Sequence, residues 1–218
     1  LGDNWPDRYR NTLFTNNIHG RRINNDILKR SGSGYVASHG PDLMRSRDPW
    51  FMGVTLAYGP DGSVYVSDWS DTGECHSTRN TRRHTGRIFR IAYGTPERRD
   101  VNLAQLSNDE LVELQSHRND WFVRHARRLL QERAAAGDNM TAVREMLRAL
   151  FDHSSTTPRK LRALWALHVA GGLSESTLLE QLDDGDEHIR TWAIQLLTEG
   201  RTRGTQTSPV VTSDLSQS

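Results

Sequence analysis

The sequence predicts an α+β multidomain chain: a partial β-propeller followed by an α-solenoid of helix pairs. Three observations carry this. Composition shifts sharply near Gly94, from short β-like runs rich in Gly, Asn, Asp, Ser and aromatics to Leu/Ala/Arg/Glu-rich stretches with helical spacing. The β-like runs are joined by tight-turn signals. The helical stretches repeat an apolar-Arg step at intervals within the loose range of solenoid repeats. These observations divide the chain into blades at residues 1–93, a linker at 94–102, helical repeats at 103–199 and a tail at 200–218. The tail has little to bury and reads as disordered.

The β half is built in chain order. Thr12-Leu13-Phe14-Thr15 is a short β-prone run, and residues 21–27 continue after a turn at His19-Gly20. A further strand is expected within residues 33–38. Residues 53–58 alternate apolar and small side chains, Pro60-Asp61-Gly62 makes a tight turn, and residues 63–67 alternate again. Residues 87–91 close the set. This order describes antiparallel meanders. One such sheet cannot bury both of its faces, and propeller blades solve that by stacking around an axis.

The helical half opens with Ser107-Asn108-Asp109-Glu110, a capping box before residues 111–117. Asp120 is the expected cap of residues 121–133, and Thr141 that of residues 142–151. Pro158 suits the first turn before residues 160–169. Ser174 and Asp186 are placed to cap residues 175–182 and 187–197. Arg124, Arg162 and Arg190 each follow an apolar residue and begin amphipathic runs, spaced by 38 and 28 residues. This pattern resembles HEAT repeats. Trp121, Trp165 and Trp192 lie on the apolar stripes and read as core. The arginines read as a ladder bonding neighbouring loops, or alternatively as the lining of a protein-binding groove.

Composition removes several function classes. Formal charge is +1, from 28 basic and 27 acidic residues, so no global field for polyanions exists. The basic residues are almost all Arg, with only Lys29 and Lys160 as lysines, which we read as coding bias. No apolar run approaches the ~20 residues that cross a bilayer. Cys75 is the single cysteine, which excludes an internal disulfide, a Cys-rich zinc site and a c-type haem attachment motif within these residues. The chain opens on Leu with no signal-peptide pattern, as expected for the middle of a longer protein.

The stretch YRNTLFTNNIHGRRINNDILKR (9–30), Asp48-Pro49-Trp50-Phe51, GPDGSVYVSDW (59–69), Gly73-Glu74-Cys75-His76 and TGRIFRI (85–91) together resemble one family. It is the membrane-bound dehydrogenase family of planctomycetes and verrucomicrobia. The resemblance covers roughly residues 5–200. It implies the last one to two blades of a propeller like that of soluble quinoprotein sugar dehydrogenases, then HEAT-like repeats. It implies a periplasmic or extracellular location, pyrroloquinoline quinone and Ca²⁺ as cofactors of the full-length protein, and haem only in a cytochrome c domain outside this chain. The partners implied are a sugar or alcohol substrate, the missing blades and the cytochrome domain. Nucleic acid and a membrane span within this segment are not expected.

Blade geometry places residues 16–20, 46–50 and 68–86 on one face, the face where propellers hold ligands. The last loop is long, and loops of that length are uncommon unless functional or disordered. His76 and His19 are candidates for general base, ligand or substrate contact, with Asp68 orienting the base. Each also reads as a loop-bonding residue. Asp68, Asp71 and Glu74 fall at three-residue intervals and carry hard oxygens suited to Ca²⁺. Against this, Asp68 can cap the strand end and Asp71 can form an Asx-turn. Cys75 reads as a small buried side chain, and Arg79, Arg82, Arg83 and His84 as a solvated basic run or a docking surface. Trp50 and Trp69 can stack on a sugar or quinone ring, or pack between blades.

Three functions remain open on this reading. One is a fragment of an extracytoplasmic dehydrogenase that oxidises a sugar or alcohol and passes electrons to a haem domain elsewhere. A second is a non-catalytic propeller/HEAT scaffold for protein or polysaccharide. A lactonase-type propeller that activates water on Ca²⁺ is a third possibility. The 218 residues alone, with too few blades to close a ring, are expected to be inactive.

Overall fold

A computed structural model describes residues 2–72, 84–97 and 100–202 of the chain. These described residues are α+β, with two small antiparallel sheets followed by six α-helices. Two compact units divide it: residues 1–105 with 117–125, and residues 106–116 with those from 126 onward.

The first sheet contains β1 (Thr12–Asn17), β2 (Arg22–Ser31), β3 (Gly34–His39) and β4 (Met44–Arg45). Its order is β1-β2-β3, with β4 on β2. β1 meets β2 with Phe14 opposite Asn25 and Asn16 opposite Ile23. β2 is long enough to pair with β3 through Asp26–Ser31 and with β4 through Arg22 and Ile23. Between these two partners the chain bulges, and Gly40 N–H and Leu43 N–H still reach the carbonyls of Asn25 and Ile23. The strand expected within residues 33–38 is β3.

The second sheet contains β5 (Gly53–Tyr58), β6 (Val64–Asp68) and β7 (Arg87–Ile91), in that order. Two of its strands coincide with the expected runs at 53–58 and 87–91. The Pro60-Asp61-Gly62 turn is held by Gly59 N–H to Ser63 O and Gly62 N–H to Gly59 O, both 3.0 Å. Gly62 has φ +78°, a conformation only glycine adopts without strain. The Trp5 indole donates to Gly62 O at 2.7 Å, tying the N-terminal segment to this turn.

Period-two alternation explains the core. Val64 and Val66 are buried on one face of β6, while Tyr65 and Ser67 point the other way. Trp5, Ile23, Phe51, Val64 and Val66 form the centre, and Phe14, Met44, Leu56, Phe89 and Ile91 pack against it. Side chains of both sheets thus share one apolar layer. β1 lies against β5. A Cβ at Gly53 would stand 2.6 Å from Asn16 Oδ1 and 2.9 Å from Phe51 Cζ, so glycine accommodates this close approach of the two sheets without displacing either side chain.

The helices are α1 (Asn108–Glu113), α2 (Asp120–Ala135), α3 (Thr141–His153), α4 (Thr157–Val169), α5 (Glu175–Glu180) and α6 (Glu187–Thr202). The capping box forms as expected: Ser107 Oγ accepts from Glu110 N, and Glu110 returns a carboxylate to Ser107 N. Ser174 accepts from Thr177 N and Asp186 from His188 N. Pro158 stands in the first turn of α4.

Two expected caps are corrected. Asn119, not Asp120, accepts from the first turn of α2 (Trp121 N, 3.0 Å), because the helix already includes Asp120. Asn139 accepts from Thr141 N at 3.0 Å, because α3 begins at Thr141. The N-cap position of α3 itself is Met140, which makes no side-chain cap.

In the second unit α3 packs on α4, α1 on α3, and α5 and α4 on α6. Leu130, Leu147, Leu164, Leu167 and Ile189 are fully buried. Trp165 and Trp192, expected as core, are only half-buried and meet edge-to-face with centroids 4.8 Å apart. Arg190 donates to Asp184 O at 2.7 Å, the loop-bonding role expected of the arginine ladder. In the first unit Asn119 Nδ2 donates to Gly59 O, and Tyr58 OH donates to Asp120 Oδ2. No described helix is long and apolar enough to cross a membrane.

Candidate functional site

The β1–β2 turn is shaped by Asn17, whose Oδ1 accepts from Gly20 N at 2.7 Å. It leaves His19 exposed to solvent. The chain after β4 returns to this turn, with Ser46 N–H on Arg21 O. Asp48 then folds the next turn by accepting from Trp50 N at 2.9 Å and, through its carbonyl, from Phe51 N.

Asp68 ends β6 with its side chain fully buried. Its Oδ1 accepts from Met52 N (2.8 Å) and Ser70 N (2.9 Å). Its Oδ2 accepts from Arg87 Nε (3.0 Å) and Nη2 (2.7 Å). The same Nη2 reaches Asp48 Oδ2 at 2.7 Å. Hydrogen bonds to Asp48 and then Asp68 raise the Arg87 guanidinium above its ordinary value, so it is cationic at any accessible pH. Arg87 also lies over the Phe89 ring, 4.9 Å from its centroid. Ser70 Oγ and Thr85 Oγ1 stand 2.8 Å apart and draw together the two described stubs of the long loop.

Three segments therefore meet at one end of the two sheets: the turn after β1, residues 46–50, and the two stubs of the loop between β6 and β7. Gly53 beside Asn16, Ser46 on Arg21, and Arg87 between Asp48 and Asp68 establish this. Trp69 projects there with 56% of its surface exposed, so it does not pack between the sheets; Trp50 is half-buried. His84 is exposed. Glu74, Cys75, His76, Arg79, Arg82 and Arg83 lie outside the described residues.

The chemistry available follows from this geometry. Asp68 has four donors on its two oxygens, which fills its acceptor sites. It is therefore a strand-end cap and ion-pair partner, and a Ca²⁺ ion would have to displace Arg87 or two backbone amides to reach it. Asp71 accepts from Thr72 N at 2.6 Å. Glu74, the third member of the expected Ca²⁺ set, lies outside the described residues. Among the described residues no group of three His, Cys, Asp or Glu side chains is arranged to hold a metal. Arg87 at this end is already held by two carboxylates.

Arg87 is the residue that sequence reasoning missed. Its signal was available: in the β6–β7 register Asp68 stands opposite Arg87. A carboxylate ending one strand of a hairpin and a guanidinium opening the next invite an ion pair.

The fold and this end define an α+β chain with a polar, tryptophan-bearing rim above two stacked sheets. Residues 1–95, which include both sheets, match a family model described as Domain of unknown function (DUF7133). No curated protein and no solved structure is significantly similar to the chain.

Proposed function

We propose that the two sheets are neighbouring blades of a β-propeller in an extracytoplasmic dehydrogenase-like protein, and that the rim at Asp48, Trp50, Asp68, Trp69 and Arg87 faces a sugar or alcohol. The observation that carries this reading is the stacking of two antiparallel sheets on one apolar layer, with their loops converging at one end. The outer face of the first sheet still exposes Leu13, Leu28 and Tyr35, side chains that a further blade would cover. The helices after Asn108 continue as HEAT-like pairs in this reading.

The residues act as follows. The exposed Trp69 indole offers a flat apolar wall on which a sugar ring stacks, with Trp50 beside it. Arg87, pinned by Asp48 and Asp68, holds the loop bases in register and pre-organises that wall. His19, on the exposed turn after β1, is the imidazole assigned in this reading to accept a hydroxyl proton, with His76 as the second candidate. Asp68 fixes Arg87. A bound quinone would supply the two-electron oxidation, and the electrons would pass to a haem domain outside this chain.

The saturated Asp68–Arg87–Asp48 clamp favours a second reading, a non-catalytic scaffold whose rim binds polysaccharide. Dye reduction by the full-length gene product separates the two. With pyrroloquinoline quinone added, reduction of an artificial acceptor that depends on a sugar or alcohol is expected, and His19→Ala should lower it. No reduction across a panel of sugars and alcohols, with binding of polysaccharide retained, overturns the dehydrogenase reading.

A further inference from the structure

A second concavity lies in the first unit, away from the rim. It is a pocket of about 360 Å³ lined by Arg8, Tyr9, Thr12, Asn25, Ile27, Pro41 and Asp42. Thr12 pairs with Ile27 at the start of β1, whereas the rim lies beyond its end, so the pocket opens toward the opposite end of the strand. Asn25 stands on the same sheet face as Phe14 and Ile23, among core residues, and is 6% exposed. Its Oδ1 is buried with no hydrogen-bond partner.

A buried unsatisfied amide oxygen costs about 1–3 kcal/mol. Natural interiors rarely carry that cost without a reason, a bound molecule among them. Rotation of the carboxamide about its last side-chain bond exchanges its oxygen and nitrogen ends. A hydroxyl, both donor and acceptor, satisfies either end.

The remaining walls set the ligand's class. Tyr9 presents an aromatic ring steadied by the Arg8 guanidinium over it, 4.8 Å from the centroid. Ile27 and Pro41 are apolar. Asp42 is not a free anion: Arg45 Nε bonds it at 2.6 Å, His39 Nε2 lies 3.2 Å away and Arg22 Nη1 3.6 Å away. A bare cation finds no uncompensated carboxylate here, and the Arg8 guanidinium lies over the Tyr9 and Tyr93 rings, 4.8 and 5.6 Å from their centroids. A small ring with one apolar face and several hydroxyls finds both an aromatic wall and a buried hydrogen-bonding group.

We infer that this pocket is a binding site for a neutral, hydroxyl-bearing ring of monosaccharide size. It is separate from the rim, and its test does not depend on the dehydrogenase reading.

Methyl-detected NMR of the 218-residue chain reads it directly. Titration with myo-inositol and with methyl glucoside should shift the Ile27 and Thr12 methyl signals saturably. Asn25→Leu should weaken that binding at least about tenfold. Ile27 is 48% exposed, so Ile27→Trp should be tolerated while filling the pocket and abolishing the Thr12 methyl shift. Absence of saturable shifts with both polyols overturns the inference. So does an equal or larger response of the same methyls to choline, which would mark a cation site. Shifts confined to the Trp50 and Trp69 indole N–H signals, read in a parallel nitrogen-correlated spectrum, would likewise overturn it, since they would place the polyol site at the rim.

Discussion

The Arg87 guanidinium donates twice to the buried Asp68 carboxylate while the same Nη2 holds Asp48, 39 residues away in sequence. One side chain thus ties the first residues of β7, the last of β6 and the loop after β4. Arg87→Ala should destabilise the first unit by about 2–3 kcal/mol, because it leaves a buried carboxylate with only its two backbone donors. Asp68→Asn keeps an acceptor for those backbone amides and removes the charge, so it should cost less. Urea unfolding followed by tryptophan fluorescence reads both. An Arg87→Ala chain as stable as the parent would show that the clamp is ornamental.

Acid should weaken the first unit through two aspartates. Asp42 is held below the ordinary carboxylate value, chiefly by the hydrogen bond from Arg45, then by the charges of Arg22 and His39, against burial. For Asp61 burial pushes upward, but the Ser63 amide and hydroxyl and the Arg90 guanidinium together outweigh it. A depressed folded pKa means the unfolded chain binds protons first as pH falls. The stabilisation is complete above the unfolded value near 3.8 and is lost as pH drops through the lower folded values. Urea midpoints should therefore be flat in this respect from neutral pH to about 5 and fall below about 4. Asp42→Asn should flatten part of that acid decline; an unchanged decline would contradict the ion-pair account.

The helical unit depends on its apolar stripe and its caps. Leu164 is 1% exposed, so Leu164→Ala should cost about 2–5 kcal/mol, the range for a buried leucine that leaves a cavity. Ser107→Ala removes half of the capping box at α1 and should cost about 1 kcal/mol. Circular dichroism at 222 nm across a urea series measures both. Equal losses would indicate that the caps, not the core, dominate this unit.

Trp69 separates stability from binding. Its indole is mostly solvent-exposed, so Trp69→Ala should change stability by no more than about 0.5 kcal/mol. The same substitution should abolish sugar or polysaccharide binding at the rim. Glycan-array or titration binding that survives it would remove Trp69 from the site.

Much of this was legible because local signals and tertiary demands agree. The β5 and β7 strands follow from alternation bounded by turn residues, and Ser107, Pro158, Ser174 and Asp186 act at helix ends as their chemistry suggests. Asn119 and Asn139 were missed because several polar residues in a row could each cap, and only the helix start decides between them. The strand-end role of Asp68 was one of two readings, and the choice lay with Arg87, nineteen residues further on. The Asn25 pocket carried no local signal. It arises from Tyr9, Thr12 and Asp42 meeting across a bulged strand edge, which spacing alone does not reveal.

The site rests on one juxtaposition: the turn bearing His19 and the strand end bearing Trp69 share one end of two stacked sheets. The distance between spin labels placed at His19→Cys and Trp69→Cys, in a Cys75→Ser background, measures it. A separation well inside the ~20 Å length of a six-residue strand is the expected result. A narrow distribution centred clearly beyond that length would put the two at opposite ends and dissolve the rim.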